Sequence, residues 1–133
     1  MVGFDIDISD LIGVPFRRGG RDINTGFDCW GLAVEVYKRY GITIPEYNHE
    51  DINALSNKDV GETILAHLGE WVELPQPEIP CIVTVRNDIV YVNHVGVYIG
   101  NNFYINTLKK MGTCLIPLTH PYWSKRIHGF YQY

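Results

Sequence analysis

The fold is decided by the stretch Gly26-Phe27-Asp28-Cys29-Trp30-Gly31-Leu32, in which a turn leads directly into a helix that begins with a cysteine. Asp28 is a favourable N-cap residue. Apolar residues then recur with helical spacing as far as Tyr40, so the pattern predicts an amphipathic helix over 28–40. A thiol at this position faces unpaired backbone N–H groups and the positive end of the helix dipole, which both favour the reactive thiolate. The alternative is that Cys29 is a small buried hydrophobe, as free cysteines often are.

The composition predicts one ordinary globular domain over residues 1–133: 46% of the residues are hydrophobic and 20% are charged. The net charge of −4 does not suggest nucleic-acid binding. The short basic runs, which include Arg17-Arg18 with Arg21, are expected to lie on the solvated surface. We expect no membrane span and no secretory signal of the usual kind, which implies a protein in the cytoplasm or in a virus particle. The three cysteines are widely spaced, so we expect reduced thiols without a disulfide framework or a metal site.

The hydrophobic period changes from 3.6 to 2 at residue 81. Before that point, we expect short helical turns at 5–12 and a second helix at 59–67. After it, the pattern predicts six short strands, at 81–85, 89–92, 94–99, 103–107, 113–118 and 127–131. Helices followed by a run of strands indicate an α+β domain with an antiparallel sheet.

A catalytic cysteine needs a base, and His94 is the best placed of the five histidines. It begins a strand in which Gly96 leaves room beside the imidazole. If 100–102 is a three-residue hairpin loop, Asn106 shares the face of His94, whereas a two-residue turn would put it on the opposite face. The candidate triad is therefore Cys29–His94–Asn106. The alternatives are a strand histidine bound to the backbone and an asparagine that only ends a strand.

The two blocks Gly-Phe-Asp-Cys-Trp-Gly-Leu at 26–32 and His-Val-Gly-Val-Tyr-Ile-Gly at 94–100 occur in an order that resembles the NlpC/P60 family. Members are papain-like cysteine peptidases that cut peptide stems of bacterial cell walls. The stretch 11–20 resembles the Gly-x-Pro-Tyr-x-Trp-Gly-Gly motif of the family. The closing stretch 127–131 and the tryptophan after the cysteine resemble its phage-tail branch. The resemblance implies a papain-like α+β fold, with N-terminal helices packed on a mostly antiparallel sheet of five or six strands.

The resemblance also implies roles for individual residues. Cys29 would be the nucleophile, His94 the base, and Asn106 the polar residue that holds the imidazole. In some members the aspartate at the position of Asp28 receives the α-amine of the substrate, although Asp28 could be an N-cap only. Three further substrate-binding positions depart from the family, which has tyrosine, tryptophan and serine there; these are Phe16, Arg18 and Trp30.

No metal or organic cofactor is implied, and the expected partners are a peptidoglycan peptide and phage-tail proteins. Two other functions stay open. One is a non-catalytic structural or wall-binding tail module, which the departures at Phe16 and Trp30 favour. The other is acyl transfer from a lipid, which the absence of an apolar segment disfavours.

Overall fold

The computed structural model describes residues 3–46, 64–86 and 92–133. A small two-stranded sheet, helix α1 and a six-stranded sheet follow one another along the chain. The elements are β1 Arg21–Asp22, β2 Gly26–Phe27, α1 Cys29–Arg39, β3 Val72–Leu74, β4 Cys81–Val85, β5 His94–Gly100, β6 Phe103–Leu108, β7 Gly112–Pro117, a 3-10 helix Trp123–Arg126 and β8 Ile127–Gln132. Residues 64–68 are also helical, so the described part of the second predicted helix is confirmed. The described part of the chain contains no helix that is long and apolar enough to cross a membrane.

Helix α1 begins and ends as the sequence predicts. The Asp28 side chain accepts a hydrogen bond from the backbone N–H of Gly31 at 2.6 Å, which satisfies one of the free donors of the first turn. At the other end, Gly41 adopts a positive φ of 81°, which terminates the helix at little steric cost. One face of α1 is buried, and it consists of Trp30, Gly31, Leu32, Ala33, Val36 and Tyr37.

The large sheet has the strand order β3-β8-β4-β5-β6-β7, and all neighbouring strands are antiparallel. Alternate residues of its central strands face two different cores. Val95 and Val97 pack with the buried face of α1 in the main core. Val83 and Val85 pack in a smaller core on the other side. The α+β class and the antiparallel sheet are therefore confirmed, and α1 lies against β5 and β6.

The hairpin between β5 and β6 differs from the predicted three-residue loop. Gly100 pairs with Phe103, so the turn has only two residues, both asparagines with positive φ. The pairing of Tyr98 with Tyr104 is nevertheless as predicted, because a β-bulge shifts the register between Tyr98 and Gly100. The bulge and the shorter turn cancel, and Asn106 keeps the face of His94.

The N-terminal segment contacts the far edge of the sheet. Gly13 N–H donates to the carbonyl of Thr113, and Thr113 N–H donates to the carbonyl of Val14, both at 2.8 Å. The expectation of helical turns at 5–12 is wrong, because the structure has bends and hydrogen-bonded turns there and no helix. The Asp7 carboxylate accepts from both the backbone N–H and the hydroxyl of Ser9, and such local bonds compete with helix formation.

Three short strands, β1, β2 and β3, were not predicted from the sequence. They are two or three residues long, too short for an alternating pattern to show. The strand predicted at 89–92 lies almost entirely outside the described residues.

Candidate active site

Cys29 joins the start of α1 to the start of β5. It is the first residue of the helix, and only part of its surface reaches solvent. Its sulfur lies within hydrogen-bonding reach of two backbone N–H groups, those of Val95 and Trp30. Val95 follows His94 directly, so the thiol contacts the strand that carries the candidate base.

The protonation state of Cys29 differs from the sequence-based expectation. Burial raises the pKa of the thiol to about 12, and the nearby charge of Asp28 acts in the same direction. The backbone N–H groups and Arg21 oppose this shift without overcoming it. The expectation that the helix terminus favours thiolate is therefore wrong for the resting site, since desolvation outweighs the helix end. The thiol is neutral near pH 7.

His94 and Asn106 form a buried pair on neighbouring strands. Nε2 of His94 and Oδ1 of Asn106 are 2.9 Å apart. The amide nitrogen of Asn106 donates to the carbonyl of Cys114 at 3.3 Å, which fixes the orientation of the amide. Because a carbonyl oxygen can only accept, Nε2 carries the proton and Nδ1 keeps its lone pair. Burial lowers the pKa of His94, while the bond to Asn106 opposes this, and the result is a neutral imidazole suited to accept a proton.

Gly96 makes this pair possible by bringing β5 close to β6. A Cβ atom on Gly96 would lie 2.7 Å from the ring of Tyr104, 2.9 Å from the carbonyl oxygen of Ile105 and 3.2 Å from the Cβ of Asn106. The sequence indicated that the glycine leaves room beside the imidazole. In the structure, that room is filled by the residues of β6.

Arg21 is a residue of the site that the sequence analysis missed. Its guanidinium donates to the Asp28 carboxylate at 2.5 Å and to the carbonyl of Gly20 at 2.8 Å. Asp28 is 5% exposed, and the same oxygen also caps α1. The prediction of a solvated surface is therefore wrong for Arg21. Only the fold shows this, because no periodicity in the glycine-rich loop links the two residues.

The other predicted substrate-binding residues lie in different environments. Phe16 is half-buried and forms a single parallel bridge with Phe27, while Arg18 is exposed in a turn. Trp30 is buried: its indole N–H donates to the carbonyl of Pro45 at 2.7 Å, and its ring packs edge-on against Trp71. Their roles in substrate binding stay predictions, and Trp30 is visibly a core residue.

Among the described residues, no group of three or more His, Cys, Asp or Glu side chains could hold a metal ion. The reactive groups that the structure brings together here are the Cys29 thiol and the His94 imidazole, with the Asn106 amide beside the imidazole.

Comparison with known proteins places this geometry in a family. The model of the NlpC/P60 family matches residues 13–132. The murein DD-endopeptidase MepS/murein LD-carboxypeptidase of Escherichia coli K12 is 27% identical over 124 residues, which cover 89% of this chain and 55% of that protein. The murein DD-endopeptidase MepH of the same organism is 29% identical over 128 residues, covering 89% of this chain and 40% of that protein. The chain thus spans about half the length of the curated relatives it matches.

A solved structure supports the same assignment. An NlpC/P60 family protein from Bacillus cereus superposes with a TM-score of 0.65 at 26% identity, covering 92% of this chain and 36% of that one. The chain therefore belongs to the NlpC/P60 family of cysteine peptidases and has the fold of that family.

Proposed function

We propose that this domain is a thiol hydrolase that cleaves an amide bond in the stem peptides of peptidoglycan. The observation that carries the proposal is the 2.9 Å contact between Nε2 of His94 and Oδ1 of Asn106. His94 is on β5, and the N–H of the next residue, Val95, lies within reach of the Cys29 sulfur. This arrangement supplies a nucleophile, a base and an orienting group.

The reaction starts from a neutral thiol and a neutral imidazole. As the sulfur of Cys29 attacks the carbonyl carbon, its proton passes to Nδ1 of His94, and the C–S bond forms. The backbone N–H of Cys29 at the helix terminus stabilises the oxyanion, a type of interaction that contributes about 3–4 kcal/mol. His94 then donates the proton to the leaving amine, the C–N bond breaks, and water hydrolyses the thioester. Asn106 keeps the imidazole in the required tautomer throughout.

The cell-wall substrate is supported by the relatives, of which two are named murein DD-endopeptidases and one of these also a murein LD-carboxypeptidase. We extend the proposal to a role in a phage tail, in contact with other tail proteins. This part rests on the resemblance of 127–131, and of the tryptophan after the cysteine, to the phage-tail branch of the family.

The test is digestion of purified muropeptides by the wild-type protein and by Cys29→Ala, with products identified by mass spectrometry. We expect cleavage by the wild type only, and the product masses identify the bond. Both proteins must show the same circular dichroism spectrum. A folded wild type that leaves every muropeptide intact would contradict the proposal and favour the non-catalytic wall-binding module.

A further inference from the structure

A positively charged cavity opens near the end of β4. Its volume is about 450 Å³, and the described residues that line it are Arg86, Pro121, Tyr122, Lys125 and Arg126. Three of these five carry a positive charge and none is acidic, in a chain whose net charge is −4. A local excess of one charge in a concave site attracts ions of the opposite sign.

The Arg126 side chain of this cavity is held in place by its neighbours, and its backbone is hydrogen-bonded to that of Arg86. The Arg126 guanidinium lies 4.4 Å from the centroid of the Tyr122 ring, and its Nη1 donates to the carbonyl of Arg86 at 3.4 Å. The backbone N–H of Arg86 donates in return to the carbonyl of Arg126 at 2.8 Å. An arginine fixed in this way loses less side-chain entropy when it binds a ligand.

The wall formed by the 3-10 helix is also ordered. Nδ1 of His120 accepts hydrogen bonds from the backbone N–H groups of Tyr122 and Trp123, at 3.1 and 3.2 Å. Trp123 packs in the smaller core. The cavity lies at the surface, and the backbone of this wall is fixed by the His120 hydrogen bonds and by the packing of Trp123.

The position of the cavity relates it to the candidate active site. Arg86 follows Val85, and Val85 is the cross-strand partner of His94. Neighbouring strands lie about 4.8 Å apart. An extended peptide advances about 3.5 Å per residue. The backbone of Arg86 therefore lies one strand away from that of His94, a separation that an extended peptide spans in two or three residues.

We propose that this cavity binds a free carboxylate of the stem peptide and so contributes to substrate recognition. The inference rests on the proposed function for the identity of the peptide. A carboxylate fits the two forked guanidinium groups, which can bind it through paired hydrogen bonds. The site would favour peptides with an unmodified carboxylate over peptides in which the carboxylate is amidated.

The test measures binding rather than cleavage. The Cys29→Ala protein is titrated calorimetrically with a stem tetrapeptide whose carboxylates are free, and with the same peptide fully amidated. We expect the free acid to bind about tenfold more tightly, the effect of one charged hydrogen bond. Adding Arg126→Gln or Lys125→Gln should remove most of this preference. Lys125 is exposed, so its substitution tests the cavity without disturbing the arginine pair. The matched control is Lys109→Gln, on the turn after β6, which should keep the preference.

The outcomes separate the two proposals. Equal affinity for both peptides, or a preference that survives both cavity substitutions, would overturn the carboxylate site and leave the hydrolase to the muropeptide digestion. A preference that depends on the cavity, in a protein whose wild type cuts no muropeptide, would support the site and overturn the hydrolase.

Discussion

Replacing Asn106 by alanine removes the acceptor that orients His94. Asn106 is 1% exposed, and its Oδ1 lies 2.9 Å from Nε2. A buried donor left without a partner costs about 1–3 kcal/mol, and the lost contact to Cys114 and the small void add to this, so we expect a loss of about 2–3 kcal/mol. At about 4 °C per kcal/mol for a domain of this size, the melting temperature should fall by about 8–12 °C.

The same substitution should lower kcat on muropeptides by roughly 10–100-fold, because an imidazole that can rotate loses part of its value as a base. The bond to Asn106 also opposes the lowering of the His94 pKa. Without it, the acidic limb of the kcat/KM–pH profile should move to lower pH, which a general loss of stability would not produce.

Asn106→His is the rescue variant, because a neutral imidazole can also accept from Nε2 of His94. It should recover most of the activity and return the acidic limb towards the wild-type position. The reasoning would be refuted if folded Asn106→Ala retained wild-type kcat with an unshifted profile.

Four further outcomes are expected. Because the pKa of Cys29 is raised to about 12, its iodoacetamide labelling rate, followed by mass spectrometry, should keep rising above pH 9; a plateau below pH 9 would contradict the buried neutral thiol. The unfolded state loses this proton nearer pH 9, so the contribution of Cys29 to stability should be lost as pH rises from about 9 to 12. Gly96→Ala should destabilise the fold by about 1–3 kcal/mol in urea unfolding, since the nearest atom lies 2.7 Å from the new Cβ, whereas Gly3→Ala, with open space around it, should not. Arg21→Gln should cost about 2 kcal/mol in the same measurement by leaving a buried carboxylate unpaired, and adding Asp28→Asn should recover part of it; an unchanged midpoint would show that the ion pair is not stabilising.

The elements with a clear period could be predicted from the sequence. Helix α1 has a capping aspartate, a buried stripe and a terminating glycine, and these local signals agree with the packing. The strands β4 to β8 alternate because each faces a core on one side or both. Segment 5–12 lacks such agreement, and the hydrogen bonds that Ser9 donates to the Asp7 carboxylate compete there with a helix.

The β5–β6 hairpin shows why register is harder to predict. Asparagine tolerates positive φ, so Asn101 and Asn102 can form the whole turn. A two-residue turn alone would place Asn106 on the opposite face from His94, and the bulge at Ile99 returns it to the same face. Such a bulge leaves no mark in the local sequence pattern. The predicted proximity of His94 and Asn106 is confirmed, although the loop that was to produce it is wrong.

The chemical state of the site depends on residues distant in sequence. The helix terminus at Cys29 is a local feature, but the desolvation that raises its pKa comes from the packed fold, and the N–H groups of Val95 and Trp30 oppose that rise only in part. Arg21 likewise finds its carboxylate only after the glycine-rich loop has folded back on α1. Short-range sequence patterns identify which side chains are candidates for reaction, whereas burial in the folded domain determines their protonation state.

The position of β8 has a consequence for when the protein can become active during synthesis. This strand, formed by 127–132, lies between β3 and β4 and pairs with both. A nascent chain that already contains Cys29, His94 and Asn106 therefore still lacks a strand from the interior of its sheet. Pairings between such distant residues also form slowly. We expect the ribosome-bound chain to remain without a completed sheet until β8 emerges, so that the proposed active site is assembled only after translation has passed residue 132.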